Sequence, residues 1–131
     1  MTMLGGYAVK QITDTATGKK EFSNLNTGSI WLDVNTNGKK IQYGLFGGYT
    51  QNLGSSDKIS TSSFFARGAN IEYLYRVSPR ITFISGKLNI AAECEYTFAM
   101  YGKTNGNGSG IATNGVAVGN IRGLLSFIYN F

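Results

Sequence analysis

The last thirteen residues constrain the fold more than any other part of the chain. From Gly119 to Phe131 the odd positions read Gly119, Ile121, Gly123, Leu125, Phe127, Tyr129 and Phe131, and the even ones Asn120, Arg122, Leu124, Ser126, Ile128 and Asn130. Successive side chains of a strand point to opposite faces, so this alternation predicts a strand with one apolar and one mostly polar face. Arg80 to Tyr101 repeats the pattern. Ile84, Leu88, Ile90, Ala92, Cys94, Tyr96, Phe98 and Met100 fall on one face, and Lys87, Asn89, Glu93, Glu95 and Thr97 on the other. At about twice the length of an ordinary strand, it has the reach of a tilted strand that crosses a bilayer.

Four further strands follow from the same reading. Phe65 to Val77 sets Ile71, Tyr73, Tyr75 and Val77 against Asn70, Glu72 and Arg76, and Lys39 to Gln51 sets Ile41, Tyr43, Leu45 and Tyr49 against Lys40, Gln42 and Thr50. Ser29 to Val34 and Met3 to Ile12 have less clean faces. The composition suits strands and turns. Glycine numbers 18, aromatics make up 13%, Pro occurs once and His never, and no useful stretch shows helical periodicity.

The connections alternate long and short. Thr13–Gly28, Asn52–Ser63 and Gly102–Asn114 are long and rich in Gly, Ser, Thr and Asn, whereas Asn35–Gly38 and Ser78–Pro79 are short and carry turn chemistry. The expected fold is all-β: a single domain over residues 1–131 forming an antiparallel up-and-down meander of about six strands, part of a transmembrane β-barrel. Six strands are too few to close a barrel, and an open sheet in lipid leaves edge amides unpaired. The chain therefore reads as part of a longer barrel or as one of several copies sharing one. Met1-Thr-Met-Leu-Gly-Gly-Tyr7 has neither the charged start nor the apolar run of a signal peptide. That favours a C-terminal fragment whose signal peptide and N-terminal part are missing. No run of 18 apolar residues exists to form a membrane helix.

The chain end resembles the C-terminal signature of outer-membrane β-barrels, in which a terminal Phe follows alternating apolar residues. Phe131, Tyr129, Phe127 and Leu125 match in register, with Gly123 weaker. The resemblance implies that these four residues are the signal read by the barrel-assembly machinery. Gly44-Leu-Phe-Gly-Gly-Tyr49, Asn52-Leu-Gly54, Arg67-Gly-Ala-Asn-Ile71, Val77-Ser-Pro-Arg-Ile81 and Glu95-Tyr-Thr97 look like the C-terminal half of Bacteroidota-type porins, including DcaP-like porins. That likeness implies residence in the outer membrane of a Gram-negative bacterium, contact with outer-membrane lipid, a homo-trimer, and passive diffusion of small hydrophilic solutes. The family's N-terminal half has no counterpart here.

If the apolar faces meet lipid, the lumen is lined by Asn70, Glu72, Arg76, Lys87, Asn89, Glu93, Glu95, Asn120 and Arg122. Three of these are cations and three are anions, so the set commits the pore to neither sign of ion. Other chemistry finds little footing. The net charge of +5 comes from scattered cations, which gives nucleic acid no basic face. Gly102-Lys103-Thr104 ends like a phosphate-binding loop, but Phe98 stands where that motif needs Gly. Glu93 and Glu95 share a face and could form an acid/base pair or hold a metal through oxygen, against the plainer reading of a polar lumen wall. Cys94 is a small hydrophobe with no His to activate it, and Asn107-Gly-Ser109 is only formally a glycosylation sequon. No enzyme and no cofactor is expected. Phe64, Phe65, Tyr101, Tyr129 and Phe131 suit aromatic girdles at the membrane interfaces better than sugar-stacking platforms. Two rivals stay open: a soluble up-and-down barrel holding an apolar ligand, and a non-conducting structural or adhesive outer-membrane barrel.

Overall fold

The computed structural model describes residues 5–11, 18–104 and 108–131, with the side chains of 61–64 left aside. Met3 and Ile12 of the first expected strand, Asn107 of the sequon and the Phe64 ring lie outside the described residues. There are seven strands and, among the described residues, no helix: β1 (Gly6–Lys10), β2 (Phe22–Asn35), β3 (Ile41–Gly54), β4 (Ile59–Phe65), β5 (Ile71–Ser85), β6 (Leu88–Thr104) and β7 (Ala112–Tyr129). They form one antiparallel sheet in the order β4-β1-β2-β3-β5-β6-β7.

The six-stranded meander expected from alternation is present, as β1-β2-β3-β5-β6-β7. The seventh strand, β4, begins in the connection read as Asn52–Ser63 and runs on to Phe65, the expected start of the next strand, and Asn52–Gly54 belong to β3. β4 docks on β1 with Tyr7 opposite Phe65, Ala8 opposite Phe64 and Lys10 opposite Ile59, with an irregularity between Ala8 and Lys10. Its sequence, ISTSSFF, is mostly hydroxyls, so period-two hydropathy had little to register. β1 pairs on its other side with β2, Gly6 to Val9 facing Leu25 to Phe22.

One turn stands elsewhere than expected. Ser78–Pro79 lies within β5, and the chain reverses at Gly86–Lys87 instead. Val-Ser-Pro-Arg has turn chemistry, but so does Ser-Gly-Lys, and Gly86 takes φ +58, the conformation a two-residue hairpin turn asks of it. Ser78 is 1% exposed and donates through its side chain to Glu93, and β5 continues through the proline. Ile84 consequently lies in β5, which ends at Ser85, while Leu88 opens β6.

Packing divides the chain into two units. The first, residues 1–29, 50–74 and 99–118, holds a small core in two clusters: Ala8, Leu25 and Ile59 with Ala66 against them, and Ile71, Leu74 and Ala99. Its connections bond one another. The amides of Ser55 and Ile59 donate to the carbonyls of Ser109 (2.7 Å) and Gly108 (2.6 Å), and the Asn52 amide reaches the Gly110 carbonyl at 3.3 Å. Gly54 takes φ +70 with the Ser109 carbonyl 2.6 Å from where a Cβ would stand, so a side chain there would break this junction.

The second unit, residues 30–49, 75–98 and 119–131, is a sheet of two unlike faces. Exposure alternates along β3, β5 and β6, while the β2 and β7 segments are exposed nearly throughout. In β5, Val77, Pro79, Ile81 and Phe83 are exposed, while Ser78 is buried and Arg80 and Thr82 are half-buried. In β6, Ala92, Cys94 and Tyr96 are exposed, and Glu93, Glu95 and Thr97 half-buried. The apolar face is thus the open one and the polar face the shielded one, the reverse of a water-soluble sheet.

A candidate lumen wall built from balanced charges

One face of the second unit carries a row of charged and polar side chains from four strands, β2, β5, β6 and β7. On β2, Asp33 and Asn35 stand two residues apart and therefore on one face, and the Asn35 amide donates to Asp33 Oδ1 at 3.2 Å. Arg80 of β5 reaches both. Its Nη2 donates to Asp33 Oδ1 and Oδ2 at 2.6 and 2.8 Å and to Asn35 Oδ1 at 2.7 Å, and its Nε donates to Asn35 Oδ1 at 3.2 Å. β3 lies between β2 and β5, so the guanidinium must cross it. Gly44 makes room: a Cβ there would fall 2.5 Å from Arg80 Nε and 2.5 Å from Asn35 Oδ1.

Farther along the row, Ser78 Oγ donates to Glu93 Oε1. Glu95 is held from three directions. Arg76 Nη1 lies 3.1 Å from Oε2, Arg122 Nη2 of β7 lies 2.9 Å from the same oxygen, and Thr97 Oγ1 is 3.4 Å from Oε1. Arg76 Nε also donates to Thr97 Oγ1 at 3.0 Å. Only 13% of the Glu95 side chain is exposed, and a half-buried carboxylate is tolerable because two cations and a hydroxyl share it. Asp33, Glu93 and Glu95 balance Arg76, Arg80 and Arg122, so the row has no net charge.

The opposite face presents a broad apolar surface, on which Ile30 and Ile121 are each 72% exposed, Leu32 66% and Phe127 65%, with Val34, Ile41, Tyr43, Leu45, Ile81, Phe83 and Tyr129 exposed beside them. A soluble monomer rarely exposes so continuous a patch. Tyr75 and Phe98 stack at 4.9 Å on it.

No family model, curated protein or solved structure matches this chain.

Of the residues expected to line a lumen, Arg76, Glu93, Glu95 and Arg122 come together in the row. Asn89 and Asn120 sit on β6 and β7, and the Asn89 side-chain oxygen is buried with no hydrogen-bond partner among the described residues. Lys87 is in the β5–β6 turn, where its carbonyl accepts the Asn130 amide at 2.8 Å. Asn70 precedes β5 and accepts the Gly102 amide at 2.8 Å through its carbonyl, and Glu72 lies in the first unit. Sequence reasoning missed Asp33, Asn35, Ser78 and Arg80. A glycine inside β3 was the available clue, since an interior strand glycine often marks close approach by another group. Gly102-Lys103-Thr104 closes β6 as strand, not as a loop entering a helix. Leu125, Phe127 and Tyr129 stand exposed at alternate positions of β7, and Phe131, beyond its end, touches the Tyr129 ring at 5.4 Å.

Proposed function

We propose that this chain forms part of the wall of an outer-membrane porin, through which small hydrophilic solutes diffuse passively. The observation that carries the reading is the inverted exposure of the second unit: half-buried charges of β5 and β6 on one face, open aliphatic and aromatic side chains on the other. Lipid suits the apolar face, and a wet lumen suits a row of charges whose members already pair with one another. A soluble barrel holding an apolar ligand would turn these faces the other way.

The edges of the sheet are β4 and β7, and the sheet is not closed. In lipid those edges need partners, so the reading calls for further strands, from a longer polypeptide or from other copies. Under the same proposal Leu125, Phe127, Tyr129 and Phe131 are what the barrel-assembly machinery reads, and the protein is a Bacteroidota-type, DcaP-like porin that trimerises.

The test is reconstitution of the native-length protein from the source membrane into liposomes loaded with an impermeant polymer. Swelling in small sugars and amino acids, with steady conductance in planar bilayers, is the expected result. An inserted protein that passes neither solute nor current would overturn the channel and leave the structural barrel. A protein recovered only in the soluble fraction would remove the membrane altogether.

A further inference from the structure

In the first unit, three aromatic rings form one exposed surface. Tyr7 of β1 stacks on Phe65 of β4 at 5.0 Å with 22° between the planes, and meets Phe22 of β2 edge-on at 5.6 Å. Each ring is about half exposed, from 47 to 54%. The pairing explains the juxtaposition, because Tyr7 lies opposite both Asn24 and Phe65 in the ladders on its two sides. Phe22 also belongs to a cavity of about 310 Å³ whose other lining residues are Ser23, Asn24, Asn26, Ser56 and Asp57. Apart from Phe22, every lining side chain is polar. Phe22, Asn24 and Asn26 occupy alternate positions of one strand, about 7 Å apart along one face. Neither Asn24 nor Asn26 has a side-chain partner among the described residues, and both are exposed.

We propose that this surface and cavity bind an uncharged oligosaccharide, one pyranose lying against the Tyr7–Phe65 rings and its neighbour hydrogen-bonded by Asn24, Asn26 and Asp57. A pyranose has an apolar C–H face and a rim of hydroxyls that both donate and accept. Rings beside free amides and a carboxylate meet both needs. The uncharged class follows from the electrostatics. Asp57 is the one ionisable lining residue, and its charge is already met by Lys10 Nζ at 3.1 Å and by the Ser23 hydroxyl, which donates at 2.7 Å. Among the described lining residues there is no cation for an anionic sugar, and Asp57 keeps lone pairs for hydroxyls. The volume lies at the lower end of small-ligand sites, so the stacked ring extends the site beyond the cavity.

The inference does not depend on the channel, and its test is separate. Saturation-transfer NMR on the full chain, with maltohexaose, cellohexaose and mannohexaose as probes and tetragalacturonate as the charged control, reads binding directly. At least one neutral probe binds, with saturation strongest on the C–H protons of one ring. Tyr7→Ala weakens it about tenfold while Tyr7→Phe keeps it, since the ring rather than its hydroxyl makes the platform. The exposed pair Asn24→Ala/Asn26→Ala weakens it by about the same factor, with the strand circular dichroism unchanged. No binding by any neutral probe, tighter binding of tetragalacturonate, or affinity indifferent to the asparagine pair overturns the proposal.

Discussion

Gly44 shows how a single hydrogen can decide a contact across three strands. Arg80 reaches Asp33 and Asn35 only because nothing stands above Gly44. Gly44→Val should push the guanidinium off the row and destabilise the fold by about 1–3 kcal/mol, the usual cost of overpacking. Arg80→Ala should cost comparably, and the double variant little more, because both remove the same interaction. Guanidinium unfolding of the four proteins in one detergent measures the cycle, and strict additivity would refute the crossing. Asp57 offers a second residue-level test. Its carboxyl is held below the ordinary 3.8, first by the Ser23 hydroxyl, then by Lys10. A lowered folded-state value means its contribution is fully present above that ordinary value and fades as pH falls through the folded one. Unfolding followed from about pH 5 down to about pH 2 should lose stability in this window, and Asp57→Asn should lose less of it over the same range.

At the scale of elements, β7 departs from its neighbours. It is the longest strand, forms an edge of the sheet, and is exposed along nearly its whole length. Edge strands of this kind usually carry devices against unwanted pairing; here Arg122 is the one charged residue on it. The apolar series Leu125, Phe127, Tyr129 leads into Phe131, which is fully exposed and touches the Tyr129 ring. If the chain belongs to an outer-membrane porin as proposed, Phe131→Ala should leave the unfolding midpoint of the purified protein unchanged while lowering its amount in the outer membrane several-fold. Immunoblots of membrane fractions, set beside denaturation curves, separate the two effects. An equal fall in stability would mean that the ring holds the fold rather than being read by other proteins.

For the whole molecule, under the porin proposal, the balance of charges is the functional quantity. Arg76 and Arg122 both lean on Glu95. Glu95→Gln removes the anion they share and leaves the row with one net positive charge. Reversal potentials across a salt gradient in the native-length protein should then shift toward anions, and Arg122→Gln should shift them the opposite way. The second effect should be the smaller, because Arg122 is the more exposed partner and solvent screens it. No shift in either variant would place the row outside the conducting path.

Alternation made most of this sheet legible. Period two is a local property of strands, so the β3, β5, β6 and β7 faces, and the sharing of one face by Glu93 and Glu95, follow from residue order alone. Of the connections, the short one after Asn35 follows from composition, whereas Asn52–Ser63 holds most of β4 and Ser78–Pro79 lies within β5. What the sequence could not specify is pairing. Whether the chain reverses at Ser78–Pro79 or at Gly86–Lys87 depends on which hairpin the neighbouring strands can bond, and both segments carry turn chemistry. β4 forms because β1 offers it an edge, not because ISTSSFF alternates. Arg80 finds Asp33 at 47 residues' separation only once β3 lies between their strands with a glycine at the crossing. Faces are decided by neighbours in the chain, and partners by neighbours in space.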